Sequence, residues 1–312
     1  MNNGKKWIKI FNISVMVLTV VLVIYFAFKE SSVEALWQAL SSLNKWWILL
    51  ACFFMLLNWF MDGQLIYAFT KMALPKYRFR DGMRTAMVGQ YFNSITPFAS
   101  GGQPMQIFAM TRQGVDAGVA GAALVQKFIV WQSTLTLASL IFIIFRYQFF
   151  LVNVSGFMVV ALGGFIVQGA IIGLLLLFSL NPKITHWILK GIVWLAKKLP
   201  FIKNPEAIGQ NIEGQLTFFH ENVKKMLCHK RLMLRTFLMT ALQLFSTMVL
   251  PYCIYRAFNL SGASLFDMLA ANAFLTMIVS FVPLPGAAGA SEGGFLMLFS
   301  IFFTDPVTRM PA

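Results

Sequence analysis

Three ionisable residues stand inside long apolar stretches of this sequence: Asp62, Lys127 and Glu292. Charged side chains are costly at membrane depth, so they are candidates for a functional role. Lys127 is either a contact for a phosphate group or a side chain that extends to the membrane interface. Glu292 either binds a proton or contacts a cation, or it hydrogen-bonds to the neighbouring loop backbone. Asp62 either pairs with Arg84 or is solvated at the end of a span.

Two stretches of matching pattern are expected to position such residues. The first covers 81–112 and the second covers 267–299. Each opens with an aspartate, reaches a proline 16 residues later (Pro97 and Pro283), passes through a glycine-rich loop and enters a second short apolar run. Two interrupted segments in corresponding places are typical of a transport site at the interface of an inverted repeat. The alternative is that proline and glycine only kink ordinary spans, whose neighbours satisfy the freed backbone groups.

Aligning the two prolines places Gln106 opposite Glu292, each nine residues after its proline. Ser100 and Ser291 stand where they can cap the second short helix of each stretch. A helix N-terminus carries partial positive charge and free amides, which suit a phosphate. We therefore expect a cavity between two such helix ends that passes a lipid phosphate headgroup. Its candidate residues are Ser100, Gly101, Gly102, Gln103, Gln106, Lys127, Pro283, Pro285, Gly286, Gly289, Ser291 and Glu292, with Asp62, Arg84 and Arg112 as supporting residues.

The composition is that of a polytopic membrane protein. Of the 312 residues, 58% are hydrophobic and 12% are charged, whereas soluble domains carry about 25% charged residues. The net charge of +14 indicates an excess of lysine and arginine in cytoplasmic loops, and anionic lipid headgroups are the more specific partner. Nucleic acid is not expected as a partner, because no basic patch with interleaved surface aromatics stands outside the membrane regions.

Motifs for other chemistry are absent from the sequence. The three cysteines and the three histidines show no metal or redox spacing. We expect the histidines, His186, His220 and His229, to lie on a solvated face. No Ser-His-Asp arrangement and no glycine-rich nucleotide motif occurs. The sequence therefore predicts no catalytic residue, no metal and no cofactor.

Five apolar runs are long enough to cross a bilayer, which takes about 20 residues. They are 8–28, 46–69, 115–145, 154–180 and 232–258. Lysine and arginine concentrate at the N-terminus, in 71–84 and in 181–235, which places these segments in the cytoplasm. The first run lacks a small-residue cleavage site, so we expect a retained anchor. Counting spans then brings the first interrupted stretch in from the cytoplasmic side and the second from the outer side.

These features together predict one fold. We expect an all-α polytopic membrane protein: a helix bundle with two oppositely oriented re-entrant (broken-helix) hairpins related by an inverted repeat. Residues 1–312 form a single membrane domain. Hairpin 1 covers 81–112 and enters from the cytoplasmic side, and hairpin 2 covers 265–303 and enters from the outer side. The region 181–235 holds basic cytoplasmic amphipathic helices. The first, 183–198, is expected to lie on the membrane with its apolar face toward lipid, and 208–226 forms a second.

Two sequence runs carry a resemblance to a known family. GQYFNSITPFASGGQPMQIFAMTRQG, followed by a small-residue span ending in QK, and later FVPLPGAAGASEGG, resemble the transmembrane region of lysylphosphatidylglycerol synthetases. Stand-alone relatives are called flippase-like integral membrane proteins. The likeness covers nearly the whole chain. The second motif is the more specific, because Pro283, Pro285, Gly286, Gly289 and Glu292 are all in place.

The resemblance implies a module that moves an aminoacylated phospholipid or a polyprenyl-linked lipid between leaflets. In the full-length synthetases a soluble domain transfers lysine from charged tRNA to phosphatidylglycerol, which reduces surface negative charge and protects against cationic peptides. This sequence has no counterpart of that domain, so the transferase activity is not expected. The family usually continues with a further span after the second motif, so we expect either a short member or a truncated chain.

We therefore predict a multi-pass protein of the plasma membrane, with its N-terminus in the cytoplasm, that acts as a lipid flippase. The expected substrate is an anionic or aminoacylated phospholipid, similar to lysylphosphatidylglycerol, or a polyprenyl-linked lipid. One alternative is an accessory subunit that docks a lipid-modifying synthetase or a glycosyltransferase through its basic helices. Another is a membrane-embedded enzyme that uses Glu292. A separate synthetase domain or a second copy of the chain is the expected protein partner.

Overall fold

The computed structural model describes residues 41–96, 100–153, 156–197, 205–279 and 290–303. These ranges are helical and contain no strand. Their twelve helices are α1 Lys45–Ala73, α2 Phe79–Ile95, α3 Gly102–Arg112, α4 Ala117–Phe145, α5 Tyr147–Asn153, α6 Phe157–Leu180, α7 Pro182–Lys197, α8 Pro205–Cys228, α9 Lys230–Met248, α10 Leu250–Ala257, α11 Leu265–Val279 and α12 Ala290–Phe299. The expected first span, 8–28, lies outside the described residues.

Four helical segments in the described ranges are long and apolar enough to cross a membrane. They are α1, α4, α6 and Lys230–Ala257, which joins α9 to α10. The break between α9 and α10 falls at Val249, next to Pro251, whose ring removes an amide donor. These segments match four of the five predicted spans. The prediction of an all-α polytopic membrane protein is confirmed.

Helices α2 and α3 form a helical hairpin, called the first hairpin below (Phe79–Arg112). The end of α3 lies beside the start of α2, because Gln113 Nε2 donates to the backbone carbonyl of Asp81 at 3.3 Å. The start of α3 lies beside the end of α2, where a Cβ added to Gly102 would meet Asn93 Oδ1. The two helices are therefore antiparallel.

Helices α11 and α12 form the second hairpin (Leu265–Phe299). Leu275, late in α11, faces Gly294, early in α12, where an added Cβ would lie 2.5 Å from Leu275 Cδ1. Beyond α12, the Phe303 ring packs on Tyr255 with 5.4 Å between centroids. The Tyr255 hydroxyl in turn bonds to the backbone just before α11. Helix α12 therefore runs back along α11.

Helix α4 is central because it packs on both hairpins. In its first half, Ala123 shares a buried cluster with Met110 of the first hairpin. In its second half, Leu135 shares a buried cluster with Leu269 of the second hairpin. A polar section of α4 lies between these two apolar parts, and it holds Lys127.

Helix α1 runs antiparallel to α9 and α10. Near the start of α1, the Trp47 ring meets Tyr252 of α10 edge-on at 5.9 Å, and two turns later Phe54 meets Phe245 of α9 at 5.9 Å. Each of these long segments comes directly before a hairpin in the chain. The two segments that lead into the hairpins therefore pack against each other.

Helix α8 packs its apolar face on α4. Phe219 and Val223 of this face are buried. The contact needs glycine at position 118, because an added Cβ would lie 2.1 Å from the backbone oxygen of Gln215. The amide N–H of Gly118 also donates to Gln215 Oε1 at 2.7 Å. The second amphipathic helix is therefore attached to the bundle by its apolar side.

The expectation that all three histidines are solvated is wrong for His220. Its Nδ1 lies 2.9 Å from the backbone oxygen of Ser179, and its Nε2 lies 2.7 Å from Thr185 Oγ1. The packing of α8 brings this imidazole between the end of α6 and the start of α7, which sequence spacing alone does not show. His186 is exposed, and its Nε2 lies 3.3 Å from Glu213 Oε1.

Candidate functional site

A buried ion pair joins α1 to α4. Lys127 Nζ lies 2.5 Å from Asp62 Oδ1, and the two side chains are 16% and 4% exposed. The prediction that Asp62 pairs with Arg84 or is solvated is wrong. Arg84 lies 3.5 Å from Asp81 on its own helix, and its side chain is 60% exposed. Helix α2 therefore presents Arg84 outward. The long Lys127 side chain reaches Asp62 from α4 instead.

Both members of the pair lie far from the ends of their helices. Lys127 follows the start of α4 at Ala117 by ten residues, about 15 Å at about 1.5 Å per residue. Asp62 precedes the end of α1 at Ala73 by eleven residues, about 16 Å. Each distance is about half of a bilayer core of about 30 Å. The charges are therefore held within the apolar part of each span, where a charge requires a partner.

Asp62 lies on the face of α1 that packs against the other helices. Its buried residues recur at intervals of three or four, which places them on one face of the helix. They are Asn58, Asp62, Gly63, Leu65, Ile66, Phe69 and Thr70. The same face of α1 therefore supplies both the apolar contact with the first hairpin and the carboxylate.

Gln243 of α9 completes what we call the Asp62 network (Asp62, Lys127 and Gln243). Gln243 Nε2 donates to Asp62 Oδ1 across a long contact of 3.5 Å. Gln243 Oε1 is buried and has no hydrogen-bond partner among the described residues, and the same holds for Thr240 Oγ1 one turn earlier. Buried polar atoms are normally hydrogen-bonded. This part of the bundle therefore retains the capacity to bind a further polar group.

The two charges of the Asp62 network stabilise each other. Removing one partner of a buried pair typically costs about 3–5 kcal/mol, because it leaves an uncompensated charge. Lys127 is the more exposed member, so it is the one that an incoming group reaches. A group that separates Lys127 from Asp62 must be an anion, since the lysine ammonium otherwise loses its counter-charge.

Polar side chains fasten the first hairpin. Gln106 Nε2 donates to the backbone carbonyl of Thr85 at 3.3 Å. The Tyr77 hydroxyl, in the connection between α1 and α2, donates to Gln113 Oε1 at 2.9 Å. Burial raises the pKa of the Tyr77 phenol above its usual value, so the hydroxyl keeps the proton that it donates. The first hairpin is therefore held by directional bonds along its length.

Gln106 is enclosed within the first hairpin. It is buried between α2 and α3, where a Cβ added to Gly89 would lie 2.1 Å from Gln106 Nε2. Gly89 thus leaves a notch that the amide fills. Aligning the two prolines does not show which face of α3 meets α2, so the sequence could not place this side chain.

The remaining candidates of the first stretch lie at the two ends of α3. Gly101 is the N-cap residue, and its amide N–H donates to Thr96 Oγ1 at 2.9 Å. Ser100 directly precedes it. Gly102 is buried, whereas Gln103 is exposed. Arg112 is exposed at the other end. The N-terminus of α3 therefore lies at the predicted place in the sequence. Its role in binding stays a prediction.

Most candidates of the second stretch lie outside the described residues. This is true of Pro283, Pro285, Gly286 and Gly289, and of the side chain of Glu292. Ser291 is partly exposed in the first turn of α12. The roles given to these residues stay predictions.

A second ion pair was not foreseen from the sequence. Arg146 Nε lies 2.5 Å from Asp267 Oδ1, which fastens the end of α4 to the start of the second hairpin. The Arg146 guanidinium also lies over the Phe266 ring at 5.6 Å. The sequence did hold a signal for this pair. Each residue stands at the end of an apolar run, and the span count places both ends on the same side of the membrane. Gln243 had a weaker signal as a single amide within an apolar run.

A groove of about 400 Å³ lies between α7 and α8. His186, Lys190, Trp194 and Glu213 are among its lining residues. Trp194 is exposed, as is Trp187 on the same helix. In the part of the chain that the structure describes, no group of three or more His, Cys, Asp or Glu residues is arranged to hold a metal ion.

Comparison with known proteins gives two matches. Residues 12–309 match the family model described as the lysylphosphatidylglycerol synthase TM region. The chain is also 25% identical over 308 residues to a UPF0104 membrane protein of Archaeoglobus fulgidus, and the match covers 93% of this chain and 86% of that protein. No solved structure matches the chain. The matched family model describes a transmembrane region and includes no catalytic domain.

Proposed function

Because the chain belongs to the lysylphosphatidylglycerol synthase transmembrane-region family, we propose that this multi-pass membrane protein is a lipid flippase. Its substrate is an anionic or aminoacylated phospholipid, similar to lysylphosphatidylglycerol, or a polyprenyl-linked lipid. The headgroup passes through the bundle at the Asp62 network. Transfer of such a lipid between leaflets of the plasma membrane contributes to resistance against cationic peptides. The proposal includes no enzymatic step of the chain itself.

The observation that carries this proposal is the buried pair of Asp62 and Lys127. A bundle that only anchors another protein gains little from such a pair, since replacing a buried ion pair by apolar side chains is often neutral or stabilising. A protein that passes a phosphate through the membrane needs a cation at depth, because the phosphate cannot enter hydrocarbon without compensation. Lys127 supplies that cation, and Asp62 holds it in place when no headgroup is bound.

We further propose that both hairpins are re-entrant and enter from opposite sides, as halves of an inverted repeat. Helix α2 has 17 residues and α11 has 15, which gives lengths of about 25 Å and about 22 Å. Both are shorter than a bilayer core of about 30 Å. Each is followed by a helix that runs back along it. The antiparallel packing of the segments that precede the hairpins supports opposite directions of entry.

The basic helices are proposed to lie at the cytoplasmic membrane surface, on the same side as the N-terminus. Trp187 is 77% exposed and Trp194 is 59% exposed, and indole rings prefer the level of the headgroups. Lys190 on the same helix is also exposed and is available to anionic headgroups. The apolar face of α8, in contrast, is already covered by α4, which leaves less surface for the docking of a separate synthetase.

A transport assay in liposomes tests the proposal. The purified protein is reconstituted with phosphatidylglycerol that carries a fluorescent acyl chain label, and an impermeant reductant bleaches the outer leaflet. Wild-type protein should expose the inner-leaflet label, and Lys127→Gln should slow this at least tenfold. Arg84→Gln should behave as wild type, because Arg84 is exposed and pairs within α2.

Two results would contradict the proposal. One is bleaching no faster with wild-type protein than in protein-free liposomes, across several lipid headgroups. The other is equal rates for Lys127→Gln and wild type. Since no other protein is present, transport by the wild type would also argue against a purely accessory role.

A further inference from the structure

Headgroup binding at Lys127 changes the charge balance of the Asp62 network. A phosphate that takes Lys127 as its partner leaves Asp62 as a carboxylate that is 4% exposed and has lost its cation. Among the described residues, the carboxylate then keeps only its contact with the neutral amide of Gln243. A buried carboxylate without a counter-charge is strongly disfavoured, and such groups become neutral by binding a proton.

No second cation in the described part of the chain is placed to replace Lys127. On α2, Arg84 is held by Asp81, and on α10 the Arg256 guanidinium lies over the Trp47 ring at 5.2 Å. Arg146 is held by Asp267 at the far end of α4. Further charged side chains described on helices packed against α1 are exposed: Arg80, Glu213, Glu221, Lys224, Lys225, Lys230, Arg231 and Arg235.

We propose that Asp62 takes up one proton from water whenever Lys127 binds a phosphate headgroup, and releases it when the headgroup leaves. The proton forms an O–H bond on the Asp62 carboxylate, and the charge of the site stays balanced throughout. The headgroup and the proton therefore bind together. Flipping of a phospholipid whose headgroup has no amine, such as phosphatidylglycerol, is then linked to proton binding. This inference rests on the proposed function.

Gln243 fits both states of Asp62. When Asp62 is ionised, Gln243 Nε2 donates to its Oδ1, as observed. When Asp62 is protonated, its new O–H needs an acceptor, and a side-chain amide offers one in its carbonyl oxygen. Gln243 Oε1 is buried and has no hydrogen-bond partner among the described residues. The amide can therefore accept from the protonated carboxyl after a rotation of its terminal group.

The pH dependence has a definite sign. Because binding is linked, the proton strengthens headgroup binding by the same factor by which the headgroup strengthens proton binding. Lower pH therefore favours binding. For one proton, the apparent affinity for a phosphate headgroup rises by up to about tenfold for each unit of pH decrease. The increase continues until Asp62 is protonated even without a headgroup.

The test measures the flipping of labelled phosphatidylglycerol at a series of pH values that are equal on both sides of the liposome membrane. At subsaturating lipid, wild-type protein should flip faster as pH falls, by several-fold for each unit. Asp62→Asn, which imitates the neutral carboxyl, should flip at a rate that no longer depends on pH. Asp81→Asn is the matched control and should keep the wild-type pH dependence, because Asp81 pairs with Arg84 on its own helix.

The outcomes separate this inference from the proposed function. Absence of flipping by wild-type protein at every pH contradicts the flippase itself. Flipping by the wild type at a rate that is constant with pH, or a pH dependence that persists in Asp62→Asn, contradicts proton linkage alone. All variants retain the three histidines. A difference in pH dependence between Asp62→Asn and Asp81→Asn therefore cannot come from histidine titration.

A direct measurement on the wild type does not depend on the folding of any variant. Glycerophosphoglycerol, the water-soluble headgroup of phosphatidylglycerol, is a phosphate diester and does not titrate near neutral pH. Adding it to the detergent-solubilised protein in weak buffer with a pH indicator should remove about one proton per bound molecule from solution. Saturable binding with no proton uptake would overturn the inference.

Discussion

In the first hairpin the side chains that join the two helices are polar, whereas in the second they are aromatic and aliphatic. Gln106 bonds to the backbone of Thr85 within the first hairpin. In the second, Leu275 of α11 lies against Gly294 of α12, and Phe274 of α11 and Phe299 of α12 belong to the same buried cluster. Two elements in corresponding places along the chain are thus stabilised by different interactions.

The difference indicates different roles for the two hairpins. Packing between helices in a membrane depends on van der Waals contact and hydrogen bonds, since lipid offers no water-driven gain. Hydrogen bonds such as that of Gln106 can be exchanged for bonds to other polar groups, whereas a close-packed apolar cluster has no such substitute. We therefore infer that the first hairpin is the more adaptable of the two and that the second is the fixed frame.

The largest effect is expected from removing a ring from the second hairpin. Phe274 packs on Phe150 and Phe157, with 5.4 Å between centroids in each case. Phe274→Ala should destabilise this region by about 3 kcal/mol, because the cavity that it leaves has no side chain to fill it. Cys253 is buried in the neighbouring cluster with Leu269, so its reactivity reports the opening of this part.

The measurement is the rate at which a thiol reagent labels Cys253 in a Cys52→Ser, Cys228→Ser background. About 3 kcal/mol corresponds to roughly 100-fold faster labelling when local opening limits access. Phe108→Ala is the control on the first hairpin, where the ring is 51% exposed, and it should leave the rate unchanged. Equal rates for Phe274→Ala and the background would show that the second hairpin is not the rigid frame.

A smaller effect is expected from matched glycine substitutions in the two hairpins. Gly89→Ala places a Cβ 2.1 Å from Gln106 Nε2 and displaces a buried amide, which should cost about 2 kcal/mol. Gly294→Ala meets only the end of a flexible Leu275 side chain at 2.5 Å. The better helix propensity of alanine, about 1 kcal/mol, should offset that adjustment.

Thermal unfolding of both variants in one detergent checks this pair. We expect a lower melting temperature for Gly89→Ala and nearly the wild-type value for Gly294→Ala. The reverse order would mean that the first hairpin is the looser-packed of the two and that its polar bonds contribute little.

The sequence predicted the elements better than their contacts. Apolar run length is a local property, so four described spans and both short helices of the first hairpin could be located from it. The partner of Asp62 could not, because Asp62, Lys127 and Gln243 are far apart in the chain and meet only when α1, α4 and α9 pack. Topology placed Arg84 near enough to be considered, but it does not show that Arg84 points outward.

Gln106 shows the same limit at the level of a single side chain. Its distance from Pro97 suggested a position at a cavity, and this assumed that the residue faces away from α2. The small residue opposite, Gly89, makes the helix contact close enough to enclose the amide. A glycine about three turns into α2 was therefore a signal that the two helices approach closely.

The smallest effect is expected from breaking the ion pairs of the aspartates that begin the two hairpins. Asp267 is paired with Arg146 of another helix and its side chain is 17% exposed, whereas Asp81 is paired with Arg84 on its own helix and is 26% exposed. Arg146→Gln should therefore cost about 1 kcal/mol, since it releases the second hairpin from α4 at one end. Arg84→Gln should cost less than about 0.5 kcal/mol.

Labelling of Cys253 separates these two variants more finely than melting does. Arg146→Gln should speed labelling by about fivefold, because the ion pair closes the end of the second hairpin near the Tyr255 region of α10. Arg84→Gln should not change it. A larger effect of Arg84→Gln would reverse the assignment of the fixed frame, since it would make the first hairpin the one on which the packing of α10 depends.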